Sequence, residues 1–115
     1  MPKKIQCMTP YRLGDIVLIG FPHTDLHGVS KRPGIVLYDS GDQDVLVAGV
    51  TTQVYGTEGD YKITDWQQCG LLAESFVRLG KLATIQKSYI IRQLGALKSG
   101  EIDELKSILK KMFSL

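Results

Sequence analysis

The clearest signal in the chain is a nearly unbroken apolar run, Ile16-Val17-Leu18-Ile19-Gly20-Phe21, that follows Asp15. A strand with one wet face alternates apolar and polar residues, so a continuous β-branched run predicts a strand covered on both faces. Pro22 ends it, and residues 22–32 (PHTDLHGVSKR) read as a loop rich in turn formers. Pro33 to Tyr38 predicts a second strand, with the proline at its first position, where the missing N–H costs little. Asp39 to Asp42 is a turn, and Asp44 to Thr52 a third, nearly all-apolar strand. Tyr61–Thr64 and Ser75–Leu79 predict shorter strands, separated by a turn or short helix around Trp66–Leu72. Ile90–Leu97 reads equally as a short helix or a last strand.

The C-terminal segment changes period. Ile102, Leu105, Ile108, Leu109, Met112 and Phe113 follow helical spacing. Ser99 is placed to act as N-cap, Glu101, Asp103 and Glu104 suit the positive helix end, and Lys110 and Lys111 the negative end. Five or more short strands with one amphipathic C-terminal helix predict a mainly β (α+β) fold, a compact, partly closed barrel with helical structure outside.

A chain of 115 residues is expected to form a single domain, residues 1–115, with 1–10 as an N-terminal leader around Lys3, Lys4 and Pro10. Composition, 43% hydrophobic and 23% charged, is that of a globular protein and excludes a disordered tail. The net charge of +2 gives no field that demands nucleic acid, so a polyanion would have to be met by a local patch. Cys7 and Cys69 form no C-x-x-C pair and lie near no histidine cluster, against a structural zinc site and in keeping with reduced thiols. No signal peptide is visible, and the apolar runs fall far short of the roughly 20 residues of a spanning helix. A cytoplasmic location, with no membrane partner, is expected.

The motifs occur in a definite order: Gly14-Asp15-Ile16-Val17, Phe21-Pro22, Thr24-Asp25-Leu26, Lys31-Arg32-Pro33, Val50-Thr51-Thr52-Gln53, Gly70-Leu71, Ser75-Phe76-Val77-Arg78-Leu79 and Leu94-Gly95. Each alone is weak, but their order and spacing are specific. Together, from Tyr11 to Phe113, the chain resembles the MazF/PemK toxins of toxin–antitoxin modules. The resemblance implies an SH3-like barrel, a homodimer, and sequence-specific, metal-independent cleavage of single-stranded RNA with no cofactor. It also implies a cognate antitoxin as partner. Arg32 and Thr51 fall at the family's catalytic positions, and Gln53 and Ser75 where related toxins line the RNA groove. The better-known MazF branch carries a glutamate shortly before its arginine, whereas nothing between Leu26 and Arg32 is acidic here.

The residue types suit that chemistry. When the substrate's own 2′-OH attacks, a phosphorane with extra negative charge forms, and the protein supplies positioning and charge stabilisation. Arginine's planar fork meets two phosphate oxygens at once and stays charged, and a threonine hydroxyl donates to a third. Read without the resemblance, Arg32 is a surface charge, Thr51 a routine strand former, and Gln53 and Ser75 solvated edge residues. His23 and His27 titrate near neutrality, and His27 falls in the stretch just before Arg32. Both are equally ordinary solvent-facing loop residues. Lys31, Lys62, Arg78 and Lys81 are candidate backbone contacts or plain surface, and Phe21, Tyr55 and Trp66 candidate stacking rings or core.

Two other functions compete. A gyrase-poisoning toxin like CcdB shares the fold class and acts by protein contact, using a tryptophan–glycine pair near its C-terminus. This chain instead ends Lys111-Met112-Phe113-Ser114-Leu115, and its only tryptophan is Trp66. The other is a catalytically weak relative that only binds RNA or antitoxin.

Overall fold

The computed structural model describes residues 10–22 and 29–115. Six strands, β1 (Asp15–Pro22), β2 (Val29–Asp39), β3 (Asp44–Thr51), β4 (Asp60–Lys62), β5 (Phe76–Gln86) and β6 (Ile90–Ala96), precede one helix, α1 (Ser99–Phe113). All pairings are antiparallel, in the order β4-β5-β3-β2-β1-β6. Among the described residues β4 and β6 are the edges of this order, in keeping with the expected partly closed barrel. The mainly β fold with its C-terminal amphipathic helix is as the pattern predicts.

The apolar run of β1 is explained by two cores, one on each face of the sheet. Ile16 packs with Ile35, Val50, Val77, Leu79, Leu97 and Leu105 on the helix side. Its neighbour Val17 packs with Ile19, Val36, Val45, Val47 and Ile85 on the other. Alternation along the strand sends successive side chains to opposite faces, and both faces are covered. Helix α1 lies on the first face through fully buried Leu105, with Ile102, Ile108, Leu109 and Met112 beside it.

Several boundaries differ from the sequence pattern. β2 begins at Val29, so Pro33 lies inside the strand and not at its start. It is tolerated because Val29 to Pro33 pair only with β1, while pairing to β3 begins at Gly34. β3 stops at Thr51, one residue short of expectation. β5 runs to Gln86, well past the Ser75–Leu79 segment, because an irregularity opposite Ala48/Gly49 carries it through Leu79, Gly80 and Lys81 before pairing resumes at Leu82. Ile90–Ala96 is a strand, which resolves the ambiguous segment. Lys98, not Ser99, occupies the helix cap position, and no side chain caps it.

Two devices lock the helix side. Glu101, read from sequence as a dipole partner, is buried, and Oε1 of its carboxylate accepts the Tyr61 hydroxyl and the Thr64 amide, each at 2.8 Å. It thereby ties β4 and the turn after it to the first turn of α1. Gly70 and Gly95 form the other. A Cβ on Gly70 would collide with the Leu94 carbonyl, and one on Gly95 with that of Cys69. Gly70 also holds φ at +87°, so the turn at residues 66–71 and β6 approach backbone to backbone only with glycine on both sides.

Candidate functional site

On the sheet face away from the helix, β2, β3 and β5 frame a cleft of about 350 Å3. Arg32 and Thr51, from β2 and β3, both line it, with Tyr55, Arg78, Lys81 and a floor of Ile19, Val47 and Gly49. Nineteen positions apart in sequence, Arg32 and Thr51 are brought together because β2 and β3 are adjacent antiparallel strands. Strand alternation selects the residues: Arg32 and Val36 share a face of β2, as Val47, Gly49 and Thr51 do on β3.

The chemistry of the cleft is set by its hydrogen bonds. The Thr51 hydroxyl oxygen accepts the Gln53 amide at 3.0 Å, which leaves its O–H to donate. Nε of the exposed Arg32 donates to the Ser30 hydroxyl at 3.4 Å, and among the described residues no carboxylate pairs with Arg32. Arg78 is differently placed. Its Nε donates to Asp60 at 3.1 Å, and its guanidinium lies 3.8 Å from the Tyr55 ring centroid. Burial opposes ionisation of Asp60, but the Thr57 amide, the Thr57 hydroxyl and Arg78 together hold its carboxyl below the usual range. Among the described residues three cations (Arg32, Arg78 and Lys81) line the wall and one carboxylate, Asp60, adjoins it, a local patch suited to an anion on a chain of net charge +2.

The other site residues divide. Gln53 adjoins the cleft through its bonds to Thr51 and Tyr55, its Oε1 accepting the Tyr55 hydroxyl at 3.0 Å. Lys31 and Ser75 line a second cleft of about 360 Å3 with Leu18, Leu71, Leu72, Arg92 and Leu94. Its walls are mostly apolar. Leu18 and Ile19, Lys31 and Arg32, and Thr52 and Thr51 each send one residue to either cleft, so the clefts lie on opposite faces of the sheet. Ser75 is buried and its hydroxyl donates to the Ala73 carbonyl at 2.8 Å. His23 and His27 lie outside the described residues.

Of the lesser candidates, Lys62 pairs with Glu74 at 3.2 Å, and Trp66 packs half-buried against the helix-side core. Arg92 was not a sequence candidate. It sits in a strand whose helix-or-strand character the pattern leaves open, so its face was not assigned. Arg78 carries a usable signal: it alternates with buried Val77 and Leu79 and so faces away from the helix-side core. Cys69 is a buried free thiol that burial, with Glu101 and Asp65 nearby, pushes up in pKa, which suits packing and not nucleophilic chemistry. Among the described residues no three His, Cys, Asp or Glu side chains cluster as metal ligands would, and no helix is long and apolar enough to cross a membrane.

No curated protein matches the chain by sequence. Among solved structures it is similar to the Mycobacterium tuberculosis toxin MazF-mt6, at 24% identity and TM-score 0.71, over 88% of this chain and 97% of that one. It is similar to a MazE–MazF structure from Deinococcus radiodurans, at 18% identity and TM-score 0.71, over 91% and 97%. It is also similar to a mycobacterial endoribonuclease in complex with its cognate antitoxin, at 14% identity and TM-score 0.72, over 93% and 97%. At these identities the likeness shows the shared fold. The family model of the PemK-like, MazF-like toxins matches residues 12–113, nearly the whole chain, and the protein belongs to that family of type II toxin–antitoxin systems.

Proposed function

We propose that the protein is an endoribonuclease toxin that cuts single-stranded RNA at the Arg32–Thr51 cleft without a metal. The observation that carries this reading is the convergence of Arg32 and Thr51, from neighbouring strands, in one cation-lined cleft. Structural relatives described as endoribonucleases support it.

In the proposed reaction the 2′-oxygen attacks the adjacent phosphorus and gives its proton to a base. The phosphorane collapses by breaking the bond to the 5′-oxygen, which takes up a proton. The products are a 2′,3′-cyclic phosphate and a 5′-hydroxyl. Arg32 offers its terminal guanidinium nitrogens to the non-bridging oxygens, and the Thr51 hydroxyl donates to one of them. His27, a few residues before Arg32 in sequence, is a proposed RNA contact, and Asp60, held ionised against Arg78, makes a weak base. Lys31, Gln53 and Ser75 are proposed RNA contacts, with Lys31 and Ser75 reached around the Pro33 edge that the two clefts share.

A symmetric homodimer is the proposed assembly, because a chain this small gains from burying a further face and C2 pairing is the commonest solution. The proposed silencing partner is an antitoxin with an acidic flexible segment. A cleft lined by Arg32, Arg78 and Lys81 that accepts a polyphosphate backbone accepts carboxylates as well.

The test is incubation of the pure protein with a long RNA in EDTA, followed by mapping of the ends. Cleavage at defined sites leaving cyclic phosphates is expected. A strict requirement for Mg²⁺, or 5′-phosphate ends, contradicts the mechanism. Specific RNA binding without any cutting indicates a binding relative in place of a nuclease.

A further inference from the structure

Tyr55 is held in a manner that its packing does not require. It is 49% exposed, yet it is fixed at both its ring and its hydroxyl. One face lies against the Arg78 guanidinium, 3.8 Å from the ring centroid. Its hydroxyl donates to Gln53 Oε1 at 3.0 Å, and the backbone N–H of Gln53 donates to the Thr51 hydroxyl at 3.0 Å. Arg78 cannot swing away freely, because Asp60 holds its Nε at 3.1 Å and both of these side chains are largely buried. An exposed aromatic ring normally keeps rotamer freedom, which is lost on binding. Here that freedom is removed beforehand, and the ring borders the cleft of Arg32 and Thr51.

We infer that Tyr55, backed by Arg78, is a stacking subsite for one unpaired base next to the phosphate held by Arg32 and Thr51. The inference rests on the nuclease reading and names which part of the RNA this ring takes. Single-stranded RNA is read by splaying a base onto an aromatic face, and such stacking tolerates any base because each presents a π-face. The cation behind the ring favours the stack, and the bond from its Nε to Asp60 holds it there. Arg78 is therefore a positioning residue, and Arg32 and Thr51 remain the groups that meet the phosphate. The hydrogen bond to Gln53 adds to the ring's anchoring at the cleft edge.

The experiment uses the full chain, a labelled single-stranded RNA carrying a mapped cut site, and the same RNA with 2′-O-methyl at that site. Positions beside the cut are replaced one at a time by an abasic residue or by 2-aminopurine, whose fluorescence is quenched on stacking. Tyr55→Ala is expected to raise KM roughly ten-fold with kcat changed less than about two-fold, and Tyr55→Phe to recover most of that loss. An abasic residue at one position should weaken the wild type to the same degree and leave Tyr55→Ala no weaker. Quenching of 2-aminopurine at that position should vanish in Tyr55→Ala and fall in Arg78→Lys, which keeps the charge but not the plane.

Equal loss by Tyr55→Ala on intact and abasic RNA, or wild-type behaviour of that variant at every position, overturns the subsite while the nuclease reading stands. Tyr55-dependent quenching by a protein that cuts no RNA supports the subsite and overturns the nuclease reading. A wild type that neither cuts nor quenches overturns both.

Discussion

The two faces of the sheet do different work. The helix face is closed by apolar contact: Leu105 is fully buried among Ile16, Val77 and Leu79, and the Glu101 carboxylate clips β4 to α1. The opposite face has its own core, but at the end where β2 and β3 part company the core gives way to Arg32, Thr51, Tyr55 and Arg78. Each face has a cleft, and the two are nearly equal in size, about 350 and 360 Å3. They differ in what lines them. The helix-side cleft is walled by leucines, with Leu72 98% exposed, and carries Lys31 and Arg92 on its rim. The other carries three cations beside a tethered carboxylate and an anchored ring. Size therefore does not distinguish the two clefts; the density of fixed polar groups does.

Stability and chemistry fall on different faces in this reading, and substitutions on the two faces test that separation. Leu105→Ala, on the helix face, is expected to cost about 2–5 kcal/mol and lower the melting temperature by roughly 10–20 °C. Cleavage per folded molecule should remain unchanged, as measured by activity well below the transition. Arg32→Ala reverses the pattern, with no change in melting temperature and about a hundred-fold loss of cleavage rate, or roughly 3 kcal/mol of transition-state stabilisation. A melting curve beside single-turnover kinetics decides each case.

How far the sequence carried this picture depends on the range of each interaction. β1 was legible because both of its faces are buried locally, and α1 because its stripe of Ile102, Leu105, Ile108 and Leu109 is a property of consecutive turns. The reach of β5 was not, since its bulge at Leu79–Lys81 depends on what β3 presents opposite. Arg32 and Thr51 were reached through the order of motifs, because no periodicity marks two residues on different strands as neighbours. The Tyr55–Arg78 stack spans 23 positions and exists only once β5 lies beside β3. Glu101 was read correctly as a first-turn acid, yet its burial depends on Tyr61 and Thr64 arriving from another element.

A third test uses pH. Asp60 and Asp39 are both held below the usual carboxylate range. Burial works against this in each, but is outweighed by hydrogen bonds to backbone amides and by the ion pairs with Arg78 and Lys87. A carboxylate whose folded pKa is depressed contributes stability that is present above its unfolded pKa, about 4. That contribution is lost as pH falls through the lower, folded value. Melting temperature should therefore fall as pH drops below about 4, and Asp60→Asn should flatten part of that decline while lowering stability at neutral pH. An unaltered pH profile in Asp60→Asn would show that the Arg78 tether contributes little to the fold.

The smallest effect is expected at Lys31. On the rim of the other cleft it meets at most the RNA backbone, so Lys31→Ala should weaken RNA binding only a few-fold and reduce the slope of log K against log salt by about 0.7, one phosphate's share. A loss matching that of Arg32→Ala would erase the distinction between the clefts.

The most direct test of the central claim compares wild type and Arg32→Ala on one end-labelled RNA in EDTA, with the amount of folded protein matched by circular dichroism. The account predicts wild-type cleavage to 2′,3′-cyclic phosphate ends and a variant that binds the RNA but cuts it about a hundred-fold more slowly. Cleavage by Arg32→Ala at the wild-type rate and sites would contradict it and move the reaction out of this cleft.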